Sequence, residues 1–390
     1  MEADTLFLAL IRSCMTGTDL SQEEKAAVTF PLFKQTLLMG RKQDLGHLIY
    51  VAAERQGVLP IPADERERDF LNFAERQKDM ATVRYIDLDT ETAHIRSVLT
   101  RIGVEHIFLK GAVLRDLYPE PWLRTSCDID VLVHRQDLPR AVEALTADGY
   151  TRTGDVQYHD VVLQCGRVCL ELHHNIMENT ASLDTVLARV WEYAELTDGC
   201  EKTLQTPFFV FHQVAHAAYH FIHGGIGFRP FIDLWLLEQQ GYDEEKVRAL
   251  CREAGIERFF DRMRTINACC FDNMPLDANS RDVLDFVVCA GDYAAVDSGD
   301  RAAMRAGQTK RWRQIFRYIF VPYRELITIY PAARHRILVP FFQVRRWFDR
   351  LFVQKKGKAA RRRMRQMRSH DRATLEKTAS LKQKAGLTDL

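Results

Sequence analysis

No stretch of this 390-residue chain reaches the ~18 consecutive apolar residues that a helix needs to cross a bilayer. An early apolar run, Leu6-Phe7-Leu8-Ala9-Leu10-Ile11, follows an acidic start and stops at Arg12, so it is too short and wrongly flanked for a signal peptide. Cysteine order is also missing. The nine cysteines are odd in number and have no regular spacing apart from the adjacent Cys269-Cys270. Cys165 and Cys169 flank a turn, yet no second pair stands at zinc-finger distance. These absences exclude a disulfide-stapled secreted fold, a zinc finger and a helical membrane span. The expectation is a cytoplasmic protein with reduced thiols, held by ordinary cores.

What is present concentrates between Phe108 and Val133. If Asp128-Ile129-Asp130-Val131-Leu132-Val133 is a strand, its period of two sends both carboxylates to one face, about 6.6 Å apart, and Ile129, Val131 and Val133 to the other. Two acids side by side repel, and desolvating them costs more, so the pattern asks for a hard cation such as Mg²⁺, or Mn²⁺ in its place. A solvated edge strand is the plain alternative. A second alternating run, Arg167 to His173, puts Val168, Leu170 and Leu172 on one face and Cys169, Glu171 and His173 on the other. Glu171 therefore joins Asp128 and Asp130 as a candidate catalytic residue and metal ligand. Lys110 and Gly111 at a strand-to-helix turn, with Arg124, are placed to hold a nucleoside triphosphate. Arg115 is expected on the exposed face of its helix, and Tyr118 either packs or contacts a base.

The residues Lys110-Gly111, Leu114, Tyr118-Pro119, Arg124, Asp128-x-Asp130-Val131-Leu132-Val133 and Leu170-Glu171-Leu172-His173 together resemble the uncharacterised nucleotidyltransferase family of the DNA polymerase beta superfamily. His216, His220, Arg229 and Asp233 resemble that family's helical half. Tyr323-Arg324-Glu325-Leu326 with Tyr330-Pro331 resembles its C-terminal extension, so the likeness runs over most of residues 95 to 350. It implies transfer of a nucleoside monophosphate from an NTP to an acceptor. Superfamily members usually carry Gly-Ser or Gly-Gly at the turn where this chain has Lys-Gly.

The fold class expected is α+β: a small mixed sheet flanked by helical regions. Residues 1–95 read as a helical subdomain, with Pro60-Ile61-Pro62 as a break and the 3.6-residue period resuming from Asp64 to Thr100. Residues 96–200 alternate. Val104–Leu109, Asp128–Val133, Gln157–Gln164 and Arg167–His173 read as strands, Gly111–Leu117 and Asp137–Asp148 as helices on one side of the sheet. Residues 201–300 read as a helical subdomain lining the cleft. There His216 and His220 share a helical face, and with Asp233 they form either a zinc site or a hydrogen-bonded network with Arg229. The network is preferred, because no Glu follows the first His as a zinc hydrolase would require.

Residues 301–390 form a basic amphipathic extension. From Lys310 to Arg372 the charge is +16 against +1 for the whole chain, which leaves −15 elsewhere. Aromatic and aliphatic residues such as Phe316, Phe320, Phe341, Phe342, Trp347 and Phe352 are interleaved with these cations. Packing on the acidic remainder, an anionic membrane surface and RNA compete as partners, and the membrane reading makes the protein peripheral at the inner surface. Residues after about 372 are polar and expected to fray. Two other classes stay open: a glycosyltransferase using Asp-x-Asp with a divalent ion, and a silent nucleotide-binding module.

Overall fold

The computed structural model describes residues 1–153, 160–178, 180–290, 339–348, 372–388 and 390. Five helices come first: α1 Ala3–Thr16, α2 Gln22–Ala26, α3 Phe30–Lys42, α4 Gly46–Arg55 and α5 Glu65–Arg101. Local chemistry sets their ends. Ser21 and Glu24 close a reciprocal cap on α2, with bonds of 3.1 and 2.7 Å. The Asp64 carboxylate accepts from Glu67 N at 2.8 Å and starts α5 after the Pro60–Pro62 break. The first half of α5 buries only Ala74 and Ala81, whereas its last turns bury Ile95, Val98 and Leu99 against the sheet.

The sheet has seven strands in the order β3-β4-β5-β2-β1-β7-β6. They are β1 His106–Phe108, β2 Asp128–Val133, β3 Thr151–Arg152, β4 Asp160–Cys165, β5 Val168–His173, β6 Ala194–Asp198 and β7 Glu201–Leu204. Between them lie α6 Gly111–Leu114, α7 Leu138–Ala147 and α8 Ala181–Leu187. Pairing is mixed: β2 runs parallel to β5 and β1 parallel to β7, while β1–β2, β3–β4, β4–β5 and β6–β7 are antiparallel. The fold is therefore α+β. Ile129, Val131 and Val133 of β2 and Val168, Leu170 and Leu172 of β5 meet α5 and α7 in one core, at most 4 % exposed. Burying a Leu or Val side chain of this kind is worth about 1.5–3 kcal/mol, so the core fixes which strand face the acids must take.

Several expectations change. Strands β3, β6 and β7 join the sheet, because their pairing is backbone chemistry that needs no apolar alternation; Leu196 on β6 is 67 % exposed. The helix expected over Gly111–Leu117 tightens to a 3-10 turn after Leu114. Helices are not confined to one side of the sheet: α9 Thr206–Gly224 and α10 Arg229–Gln240 face its polar side across a cavity. Further on, α11 Glu244–Glu253, α12 Glu257–Asp272 and α13 Ala278–Ala290 pack as a helical group.

The start of the expected strand at residue 157 and most of the basic stretch from 310 to 372 lie outside the described residues. Within that stretch α14, Val339–Phe348, is helical, with Phe342 buried and Phe341 exposed. The chain end is ordered as α15, Arg372–Ala385, in place of the frayed tail expected. Ala385 and Leu387 are buried, and Lys384 pairs with Asp282. Two apolar side chains and one ion pair seat these last residues.

Candidate active site

The site is built where β1 turns into α6. Leu109 N donates to Asp130 O at 3.0 Å, which stitches the turn to the middle of β2. Lys110 then takes φ 43°, ψ −112°, a backbone state that costs a side-chain-bearing residue about 1–3 kcal/mol. Gly111 follows in tight quarters. A Cβ there would lie 3.0 Å from Arg124 Nη1 and 3.1 Å from Ser126 Oγ. The turn thus brings the Lys110 ammonium to 3.1 Å from Asp130 Oδ1.

Parallel pairing of β2 with β5 sets Asp130 directly beside Glu171 and Asp128 beside Cys169. His173 lies two residues beyond Glu171 on the same face, with Nε2 2.9 Å from Asp130 Oδ1 and 3.6 Å from Glu171 Oε2. Asp130, Glu171 and His173 each offer a donor atom within 4.8 Å of the other two, the one such group among the described residues. Asp128, expected as a ligand, stands outside that trio but lines a cavity together with Asp130. His173 was legible in the alternation of β5, though its sequence context gave it no role.

Charges here are strongly coupled. Burial pushes the Asp130 carboxyl up, but Lys110 and the His173 hydrogen bond outweigh it and hold the group far below the ordinary carboxylate range. Asp128 and Glu171 shift the other way, raised by burial and then by Asp130. For Lys110, burial pulls downward and is overcome by Asp130 and Asp128, leaving the ammonium at about 12. It is a permanent cation.

Arg124 is 7 % exposed and clamps Asp233 of α10 through Nε and Nη2, both at 2.8 Å. Its Nη1 is the nitrogen beside Gly111. Buried Tyr118 donates to the same Asp233 at 2.8 Å, which settles it as a packing and hydrogen-bonding residue. Arg115, expected on an exposed face, is buried; its Nε donates to Gly111 O at 2.9 Å. The reason is that α6 lasts a single turn before the 3-10 segment swings Arg115 inward.

The histidine network has other partners than expected. His216 Nδ1 meets Glu178 at 2.7 Å, and His216 and His220 face each other through their Nε2 atoms at 3.1 Å. Asp233 is taken by Arg124 and Tyr118, and Arg229 reaches Thr125 O and Asp44. Burial, then the Lys110 charge, holds His216 well below the usual imidazole range, so it is neutral. Asp233 and the two histidines therefore do not converge on one ion.

A cavity of about 270 Å³ joins these groups: Lys110, Gly111, Arg124, Asp128 and Asp130 on one side, His216 and His220 of α9 on the other. The arrangement is a mixed sheet with carboxylates on adjacent parallel strands beside a Lys-Gly turn, with three side chains that could hold a metal ion. Residues 34–272 match the family described as uncharacterised nucleotidyltransferase, and the chain belongs to that family. No curated protein and no solved structure matches it.

Proposed function

We propose that the protein moves a nucleoside monophosphate from an NTP to an acceptor hydroxyl or phosphate and releases pyrophosphate. The observation that supports this reading is the parallel register that sets Glu171 beside Asp130, while Asp128 and Asp130 line one cavity with the Lys110-Gly111 turn. The donor set fits a divalent ion. Two carboxylates and an imidazole converge within 4.8 Å, and the two raised carboxyls are relieved by positive charge. Asp130, Glu171 and His173 would hold Mg²⁺ or Mn²⁺, which when bound draws charge from the phosphoryl oxygens and acidifies the acceptor.

The chain's own groups do the rest. Lys110 and Arg124 Nη1 flank the place of the phosphates, the latter aimed by Asp233. Asp128, a cavity-lining carboxyl raised by burial and by Asp130, takes the acceptor proton. The acceptor oxygen bonds to the α-phosphorus as the bond to the pyrophosphate oxygen breaks, and pyrophosphate leaves with the electron pair. On the far wall burial disfavours a charge on His216, and Arg229 is the cation that wall adds.

Calorimetry with Mg²⁺ and each of the four NTPs tests the reading. Heat with at least one nucleotide, lost in Asp130→Asn, is expected; no heat with any would favour a silent module. With radiolabelled NTP and cell extract, a labelled product still formed by the Asp128→Ala/Asp130→Ala protein would overturn the assignment. The glycosyltransferase alternative loses ground because the residues before β1 hold five helices and no strand, hence no repeated βαβ half. The +16 stretch from 310 to 372 supports a peripheral contact with an anionic membrane surface, with RNA as the rival partner.

A further inference from the structure

A second, larger cavity of about 580 Å³ adjoins the first, and Cys127, the residue before Asp128, lines both. Its walls come from α5, from the α3–α4 corner, from Thr125 and from Arg167 at the β4–β5 turn. The partition between the cavities is firmly held. Leu123 O meets His47 Nε2 at 2.9 Å, Thr125 Oγ1 donates to Asp44 at 2.8 Å, and Arg229 donates to Thr125 O at 3.2 Å.

We propose that this cavity is the acceptor site, and that the acceptor is a small hydroxyl-bearing zwitterion, one carrying both an amine and an acid. The inference rests on the nucleotidyl-transfer reading for its meaning but on different residues for its evidence. Size is the first argument: 580 Å³ lies within the roughly 300–1,000 Å³ of small-molecule sites. Charge is the second. Arg84 and Arg167 line the cavity with no ion pair among the described residues, and so do Asp79 and Asp87. Groups of both signs left unpaired around one hollow match a ligand with both signs, the arginines taking its acid and the aspartates its amine. Gln77 and Thr125 are there to bond hydroxyls.

The same lining argues against a polynucleotide. Three arginines, Arg41 included, are balanced by Asp44, Asp79 and Asp87, and no Phe, Tyr or Trp lines the cavity. Single-stranded nucleic acid needs a net positive groove and aromatic stacking faces. Position completes the case. A hydroxyl carried past Cys127 arrives at Asp128, gives it the proton, and bonds to the α-phosphorus while pyrophosphate departs.

Saturation-transfer NMR on the full chain, without NTP or metal, tests the proposal. The probe is glucosamine 6-phosphate, compared with glucose and a uridylate 12-mer. Saturation of the amino sugar phosphate should exceed that of glucose, weaken at least tenfold in Arg84→Gln/Asp87→Asn, and persist in Asp130→Asn. Arg84 is exposed and Asp87 half-buried, and neither has an ion pair among the described residues, so the double variant is expected to keep its fold, which circular dichroism checks. No binding, binding indifferent to the groove variants, or stronger saturation of the 12-mer would each overturn it. Because nucleotide is absent, failure of the transferase reading shows separately, in the calorimetry with Mg²⁺ and NTP.

Discussion

At the scale of single residues, the centre is a set of charges that tolerate burial only in combination. Asp233 is the clearest case: removing it leaves Arg124 buried at 7 % exposure without its bidentate partner. Breaking such a pair costs about 3–5 kcal/mol, so Asp233→Ala should lower the unfolding free energy read by urea denaturation by that amount and weaken nucleotide binding together. A destabilisation under about 1 kcal/mol would show that the pair contributes little. The raised carboxyls give a pH signature. Since Asp128 and Glu171 are shifted up on folding, their contribution is most favourable below their unfolded values and is lost as pH rises through the folded ones. Asp130 is depressed, so its contribution is present above its unfolded value and fails only in strong acid. Mg²⁺ needs the ionised forms, and its gain in melting temperature should be larger near pH 8 than near pH 5; a thermal-shift series with equal or inverted gains would contradict the ligand assignment. Much of this was readable in the chain, because Asp-x-Asp and Leu-Glu-Leu-His declare their faces by alternation. The Arg124–Asp233 pair was not, since partners separated by 109 residues leave no local trace.

At the scale of elements, the site depends on two neighbouring strands keeping register. Slipping β5 by one residue would send Glu171 into the core and Leu172 into the cavity. The hydrophobic face prevents this, and Leu170, fully buried in the core that residues of α5 and α7 share with the sheet, is part of the lock. Leu170→Ala should cost about 2–5 kcal/mol, read by urea denaturation, while the folded fraction still gives heat with Mg²⁺ and NTP. Loss of that heat without loss of stability would mean the residue serves the site directly. Strands with one apolar face, β2 and β5, were plain in the sequence. The edge pair β6 and β7 was hidden, because Glu195, Thr197, Lys202 and Thr203 read as a polar linker until the backbone of β1 gives them a partner.

At the scale of the whole molecule, near-zero net charge conceals a +16 stretch from residue 310 to residue 372 and −15 elsewhere. Sedimentation with phosphatidylserine vesicles should retain the protein at roughly 50 mM salt and release it near 500 mM, as screening shortens the reach of each cation. Retention that ignores salt would favour apolar insertion, and absence of binding would favour packing of the stretch on its own acidic protein. The amphipathic pattern suggested a helix, and α14 is helical with Phe342 buried and Phe341 exposed, but charge alone could not reveal that Ala385 and Leu387 return to a packed seat. The clamp between Arg124 and Asp233 carries a last implication, for the order in which the protein comes into being. The arm proposed to reach the phosphates, Arg124, comes from the first half of the chain and is held by a carboxylate from a helix made 109 residues later. A nascent chain lacking that helix would own the acids and the lysine yet lack the brace, so unfinished copies should leave cellular nucleotides untouched.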